Sequence, residues 1–214
     1  GVRTITITDI ESDVTVTFAG TYTYDLVTEW EVTAGEATQM IYNYYYQSNF
    51  SKILRIREGD KDIPVAFTNT FSTSGTKTLK YSFTDKTVPG SIFEKCPALC
   101  GVRVSNTVTG IGGYAFSKTS IRHFELPATV TSYGSGVLYD CLELESVILP
   151  DNLTEIYDSM FRGCESLTVI DIPDGVTKLG DFAFDGCASL ASIIIPSGVT
   201  YVGNYCFSDC SNLR

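Results

Sequence analysis

The sequence has 214 residues, of which 43% are hydrophobic and 19% charged, and its formal net charge is −10 at pH 7. A chain of this length and apolar content can bury the cores of two domains of ordinary size. The acidity and the lack of a basic stripe argue against nucleic acid or an anionic membrane surface as a partner, and no stretch approaches the roughly 20 apolar residues that insertion into a membrane requires.

The first 85 residues predict a small all-β domain. Short runs in which apolar residues alternate with threonine, tyrosine or charged residues are separated by turn-forming pairs such as Ala19-Gly20 and Ser74-Gly75. Many such runs without a helical pattern favour a β-sandwich over residues 1–85. No cysteine occurs there, so an immunoglobulin disulfide around Trp30 is excluded. The domain is expected to end near residues 85–89, with residues 78–83 running on to cover the first turn of the C-terminal domain.

Three tyrosines on one face of a predicted strand, Tyr42, Tyr44 and Tyr46, form a candidate site in this first domain. Their rings could stack on sugars, which would make the strand a carbohydrate-binding surface. Alternatively, the rings fill the core of the sandwich and their hydroxyls reach its edge. The sequence leaves both interpretations open.

Residues 86–214 repeat with a period of 22–23 residues. Each turn has the pattern Leu-x-x-Ile-x-Ile-Pro, then aliphatic residues three and six positions after the proline, then an aromatic residue and, in most turns, a cysteine three positions later. The turns begin at Leu99, Ile121, Leu144, Leu167 and Leu190. A fixed period of this length predicts a mainly β solenoid of about five turns, in which each turn depends on its neighbours. The glycines that precede the aromatic residue, such as Gly112 and Gly180, are expected to permit a tight bend.

The seven cysteines all lie at or beyond Cys96, and five of them share one position of the repeat: Cys96, Cys141, Cys164, Cys187 and Cys210. Their wide spacing does not match the clustered pairs of a metal site. Stacked turns hold side chains parallel, which disfavours disulfides within the column. The column is therefore predicted to be a file of buried free thiols that pack as small apolar groups, and neither a metal nor a cofactor is expected.

Two outward positions of each turn are expected to form adjacent rows on one face of the sheet. One row reads Gly101, His123, Ser146, Val169 and Ser192, and the other reads Arg103, Glu125, Ile148, Asp171 and Ile194. Exposed apolar residues in these rows favour a binding face, although β propensity alone also places Ile and Val in strands. The candidate binding residues are Arg103, His123, Glu125, Ile148, Val169, Asp171 and Ile194.

No catalytic site is expected. His123 is the only histidine, and no nucleophile motif such as Gly-x-Ser-x-Gly accompanies it. A zinc site with three histidines is impossible for the same reason. The chain is therefore predicted not to be an enzyme.

The repeated columns resemble the BspA-like (bacterial surface protein A-like) leucine-rich repeat over roughly residues 88–214. The resemblance implies a secreted or cell-surface bacterial adhesin whose repeat face binds an extracellular protein or glycan of a host or another cell. The alternatives are a carbohydrate-binding module that uses the strand of Tyr42–46, and a structural spacer. The chain starts in strand-like sequence and stops where a repeat strand would begin, so we expect a removed leader and a monomer, or a weak end-to-end dimer through an exposed last turn.

Overall fold

Every regular element in the described part of the chain is a β-strand. The structure, a computed structural model, describes residues 3–7, 14–18, 25–32, 36–39, 53–58, 61–63, 68–70 and 74–214. The strands of the N-terminal part are β1 (Arg3–Ile7), β2 (Val14–Phe18), β3 (Leu26–Val32), β4 (Ala37–Gln39), β5 (Ile53–Glu58), β6 (Lys61–Ile63), β7 (Thr68–Thr70) and β8 (Gly75–Phe83). No helix capable of crossing a membrane is found within these ranges.

The repeat region contributes ten further strands, most of them only two or three residues long. They are β9 (Thr87–Val88), β10 (Leu99–Val104), β11 (Gly110–Ile111), β12 (His123–Glu125), β13 (Ser132–Tyr133), β14 (Ser146–Ile148), β15 (Glu155–Ile156), β16 (Val169–Ile170), β17 (Lys178–Leu179) and β18 (Tyr201–Val202). The predicted mainly β solenoid is thus confirmed.

The N-terminal strands are antiparallel. β1 pairs with β2, β4 pairs with β7, and a five-stranded sheet has the order β10-β3-β8-β5-β6. Side chains of β3 alternate between the core and the outer face, so that Leu26 and Trp30 are fully buried while Glu29 and Glu31 are exposed. The predicted sandwich over residues 1–85, and its separation from residues 86–214, stay predictions. Tyr42, Tyr44 and Tyr46 lie outside the described residues.

The strand β10 departs from the repeat pattern. Its sequence marks it as the first solenoid strand, yet it pairs antiparallel with β3, with Arg103 opposite Val27 and an irregularity between Leu99 and Gly101. One sheet therefore crosses the predicted boundary. The aromatic core is continuous there too, because the Phe93 ring meets Tyr81 edge-on at 5.2 Å and stacks on Phe116 at 5.6 Å. Residues 78–83 thus contact the half-turn before Leu99 through Tyr81 and Phe93, and their cover of the first full turn stays a prediction.

The solenoid is built from parallel ladders on two sides. β12, β14 and β16 form one side, while β9-β11-β13 and β15-β17-β18 form the other. Between them, equivalent residues stack from turn to turn, as the rings of Phe161, Phe184 and Phe207 do at 5.4–5.5 Å. The anchoring leucines of these turns are fully buried. Because each ring packs on the next turn, the burial of one turn depends on its neighbours.

The cysteine column is a file of free thiols that are buried at Cys96, Cys141, Cys164 and Cys187 and partly buried at Cys210, and all seven cysteines of the chain are free. The structure also shows hydrogen bonds of these thiols that were not predicted. Each thiol from Cys141 onward donates to a backbone carbonyl of the preceding turn: Cys141 to Phe116 (3.1 Å), Cys164 to Leu138 (3.2 Å), Cys187 to Phe161 (3.2 Å) and Cys210 to Phe184 (3.1 Å). The thiols therefore link successive turns as well as filling space.

A fully buried carboxylate joins the N-terminal sheet to the repeats. The Asp25 side chain accepts hydrogen bonds from the Phe83 backbone N–H (2.8 Å) and the Thr107 hydroxyl (2.7 Å) and pairs with the Lys86 ammonium (2.9 Å). The Asp25 backbone carbonyl also accepts from the Ser105 N–H at 2.9 Å. The residue thus connects β3 and the end of β8 with the segments on either side of the first turn.

Replacing Asp25 with alanine is expected to lower the free energy of unfolding by about 2–4 kcal/mol, because three donors lose a buried acceptor at once. Urea unfolding followed by circular dichroism measures the loss. Asp174→Ala is the control, since that aspartate is exposed and should change stability by less than about 0.5 kcal/mol. Equal effects of the two substitutions would contradict a connecting role for Asp25.

Candidate functional site

An open groove of about 1300 Å³ lies where the N-terminal sheet meets the solenoid. One wall is the outer face of β10, β3 and β8, and it presents Arg103, Val27 and Lys80. The other wall is the outward face of β12 and β14. It presents His123, Glu125, Ser146 and Ile148. The groove spans both walls because β10 pairs with β3 and also lies beside β12.

The N-terminal wall takes its shape from strand register. Arg103 is opposite Val27, and Val27 is opposite Lys80. Directly opposed residues share a face of the sheet, with Cβ atoms about 5 Å apart, so the two cations flank the valine in one row. Arg103 is exposed, and Val27 and Lys80 are half-buried. A basic, partly apolar strip therefore lines this side of the groove.

The solenoid wall has the predicted rows. The parallel register places His123 beside Ser146 and Ser146 beside Val169, and it places Glu125 beside Ile148. Asp171 directly follows β16 and is exposed. Arg103 was expected to extend the second row. It lies on β10, which pairs antiparallel with β3 and also lies beside β12 without forming a strand ladder with it, so its place in the row stays a prediction.

Three apolar side chains on this face are open to solvent. The exposed fractions are 63% for Ile148, 54% for Val169 and 84% for Ile194. Ile148 lines the groove, whereas Val169 and Ile194 lie farther along the solenoid. Asp171 is also outside the groove. The structure therefore gathers four of the seven candidates, namely Arg103, His123, Glu125 and Ile148, and leaves the other three on the continuation of the same face.

His123 forms a polar cluster with its neighbours on the solenoid wall. Its Nδ1 atom lies 2.9 Å from the Ser146 hydroxyl, and its Nε2 atom lies 3.9 Å from a Glu145 carboxylate oxygen. These are the residue types of a catalytic triad, but the His123 side chain is 69% exposed and the distance to Glu145 exceeds a hydrogen bond. A triad requires a buried acid that holds the imidazole. The cluster is therefore a cross-strand contact on an open sheet.

The chemistry available in the groove is that of binding. It offers cations, two acids, hydroxyl and imidazole groups, amide side chains at Asn106 and Asn152, and the exposed aliphatic side chain of Ile148. Among the described residues, no three of His, Cys, Asp and Glu are placed to hold a metal ion. The sequence analysis did not identify Val27, Lys80, Asn106 or Asn152 as residues of the site. Only the unexpected pairing of β10 with β3 brings Val27 and Lys80 to the solenoid face, and no local signal indicated that pairing.

The sequence of residues 86–214 matches the family described as BspA type leucine rich repeat region, in six copies. None of the curated proteins matches the chain. Among solved structures, a leucine-rich repeat protein from Bacteroides ovatus is 27% identical with a TM-score of 0.56, and the match covers 57% of this chain and 32% of that one.

Two further solved structures match the chain at lower structural similarity. The leucine rich repeat protein of T. pallidum is 26% identical with a TM-score of 0.45, covering 60% of this chain and 50% of that one. A leucine rich cell surface protein from Faecalibacterium prausnitzii is 24% identical with a TM-score of 0.38, covering 60% and 56%. The chain thus spans less than two thirds of the length of each of these three proteins.

Proposed function

The chain belongs to the BspA type leucine-rich repeat family, and on this premise we propose that it is a non-enzymatic secreted or cell-surface protein whose open sheet face binds a macromolecule of a host or another cell. Repeat proteins of this family are typically cell-surface or secreted bacterial proteins, and their fold is typically a non-enzymatic scaffold. The coarser conclusion, a repeat-based binding or structural role, follows from the family. The adhesive role is our proposal.

The observation that carries the proposal is the exposure of Ile148 inside the groove. A large aliphatic side chain that is 63% exposed has no role in the solenoid core, which the neighbouring Val147 and Leu149 fill. Around it lie polar and charged groups, which is the arrangement of an interface with an apolar centre and a hydrated rim. Val169 and Ile194 extend this apolar surface along the sheet. An extracellular protein or glycan is the proposed partner, bound by a monomer or a weak end-to-end dimer of the chain.

Replacing Ile148 with aspartate is expected to weaken binding at least tenfold, because a charge would take the place of the apolar contact at the centre of the interface. The probe is an immobilised extract of basement-membrane proteins, and biolayer interferometry measures the apparent Kd of the soluble chain. The matched control is Leu142→Asp, since Leu142 is 52% exposed and does not line the groove. It should leave the Kd unchanged.

Two outcomes would contradict the proposal. If the unaltered chain does not bind the extract or intact epithelial cells, the adhesive role fails and the spacer interpretation is favoured. If both substitutions weaken binding equally, the loss of affinity is not specific to the groove. Identical circular dichroism spectra and melting temperatures of the two variants would establish that both are folded.

A further inference from the structure

We infer that the N-terminal wall of the groove recognises a single carboxylate of the partner, and that this partner is a protein presenting, in an extended segment, an acidic side chain close to an aliphatic one. The inference rests on the function proposed above and names the chemistry of its ligand. Arg103 would hold the carboxylate and Ile148 would contact the aliphatic group.

Unlike Arg122 and Arg162, Arg103 has no acidic partner among the described residues. The Arg122 guanidinium lies 3.0 Å from Glu143, and the Arg162 guanidinium lies 2.9 Å from Asp185. No acid lies within 4 Å of Arg103 in the part of the chain that the structure describes. In a protein with a net charge of −10, an exposed arginine without an acid is unusual. Its location in the groove makes it an available site for an anionic group.

The chemistry of Arg103 favours a carboxylate. A guanidinium presents its N–H donors in a planar fork that matches the two oxygens of a carboxylate. Lys80 lies in the same cross-strand row, one strand beyond Val27. The solenoid wall faces this row and excludes part of the water, which strengthens a charge contact relative to one on a flat surface.

The opposite wall limits how much negative charge the groove accepts. Glu125 is exposed on the solenoid face, and Asp151 lies at the edge of the groove. A polymer with a carboxylate on every unit, such as a polyuronate, would place further charges against these two acids. A peptide can instead carry one acid and leave the neighbouring positions neutral or basic. The charges therefore favour a peptide with one acidic residue at Arg103.

The apolar surface also favours a protein. Phe124 is the one aromatic residue that lines the groove among the described residues, and it is only 2% exposed. Among the described residues, no phenyl, phenol or indole ring is therefore open there for a sugar to stack on, and His123 offers only its smaller imidazole. Ile148 instead offers a branched aliphatic surface, which fits a leucine or valine side chain. In an extended peptide, side chains two residues apart lie on one side about 7 Å apart, so one segment can contact the groove with an acid and an aliphatic group together.

An array of immobilised octapeptides tests this inference. Each peptide carries Asp or Asn at one fixed position and Leu or Ser two residues later, with the other positions randomised, and bound fluorescently labelled protein is measured. The unaltered chain should bind the Asp–x–Leu peptides at least tenfold more than the Asn–x–Leu and Asp–x–Ser peptides. Arg103→Gln should abolish the preference for Asp, and Ile148→Asp should abolish the preference for Leu.

The matched control is Arg122→Gln, which removes the same charge from an exposed arginine that does not line the groove. It should keep both preferences. If Arg103→Gln keeps the preference for Asp, or if soluble polygalacturonate competes better than the free Asp–x–Leu peptide, the inference is overturned. If the inference is overturned but the unaltered chain binds the basement-membrane extract and Ile148→Asp loses that binding, the proposed function is still supported. If the unaltered chain does not bind the extract, both the proposed function and this inference are contradicted.

Discussion

Replacing Gly134 with alanine is expected to destabilise the solenoid by about 3 kcal/mol or more, although only one methyl group is added. A Cβ atom at this position would lie 2.1 Å from the Gly113 backbone nitrogen and 2.4 Å from the Gly113 Cα atom. Backbone atoms of two successive turns meet here, and the Gly134 N–H donates to the Ile111 carbonyl at 2.8 Å. The turns would have to separate to admit the methyl group, which costs both packing and ladder hydrogen bonds.

The matched control is Gly198→Ala. A Cβ atom there would lie 3.5 Å from the Asp174 carbonyl oxygen, an ordinary contact, and neither glycine has a positive φ angle. The two substitutions therefore change the conformational entropy of the unfolded chain alike and differ in what the methyl group meets. Urea unfolding should show a large loss for Gly134→Ala and a change within about 0.5 kcal/mol for Gly198→Ala. Similar losses for both would refute the close approach of the turns.

The glycine that precedes the aromatic residue in most turns was predicted correctly as a required residue, but the reason given for it was wrong. The pattern indicated that Gly112, Gly180 and Gly203 are required, and we expected them to permit a tight bend. None of them has a positive φ angle. Instead, a Cβ atom on each would meet the backbone of the preceding turn within 2.6 Å. A sequence read one turn at a time does not reveal such contacts between turns.

The left-handed backbone positions are elsewhere in each turn. Glycine occupies them at Gly136, Gly163 and Gly186, a signal that the sequence analysis did not use, and larger residues occupy them in the other turns. Tyr114, Phe182 and Tyr205 have φ angles of 53–57° at equivalent positions, where a bulky side chain is uncommon. Stacking between turns offsets this strain. The Phe182 and Tyr205 rings are 5.2 Å apart and nearly parallel, and the Arg162 guanidinium lies 4.8 Å from the Phe182 ring centroid. Contacts between turns again decide a local conformation.

The solenoid side of the site was predictable because outward positions recur with the repeat, and the register of His123 with Ser146 and of Glu125 with Ile148 follows from the period alone. The groove was not predictable. It depends on the pairing of β10 with β3, a strand about 70 residues away in the sequence, in which Leu99 and Val104 are buried. Pairing between strands so far apart in the chain leaves no periodic signal. Val27 and Lys80 could therefore not be assigned to the site in advance.

Raising the pH from 8 to 10 is expected to destabilise the solenoid by about 4 kcal/mol through three thiols of the cysteine column, Cys141, Cys164 and Cys187. Burial raises the pKa of the Cys141 thiol from 9.0 to about 11, against the opposing effect of the Thr119 hydrogen bonds. Burial also raises the pKa of Cys164 well above its ordinary value, and the neighbouring thiols Cys141 and Cys187 add to this shift. The pKa of Cys187 is raised by burial in the same way.

The direction of the effect follows from proton binding. Below pH 9 the thiols are protonated in the folded and the unfolded chain, so they contribute no pH dependence. Above pH 9 the unfolded chain loses these protons while the folded chain keeps them, and the free energy of unfolding falls by up to about 1.4 kcal/mol per pH unit for each thiol. The fall continues until the pH passes the pKa of the folded state, near 11 for Cys141.

Urea unfolding at pH 8, 9 and 10 measures this slope, and Cys164→Ala provides the comparison. The variant should be less stable at pH 8, since it loses buried volume and the hydrogen bond to Leu138. Its stability should nevertheless fall by about 1.4 kcal/mol less between pH 8 and pH 10, because one titrating thiol is gone. Tyr133, whose pKa burial raises to about 12, titrates equally in both proteins and cancels. An identical slope in the variant would mean that the thiols ionise as freely in the folded chain as in the unfolded one, and the hydrogen-bonded file of buried thiols would then be wrong.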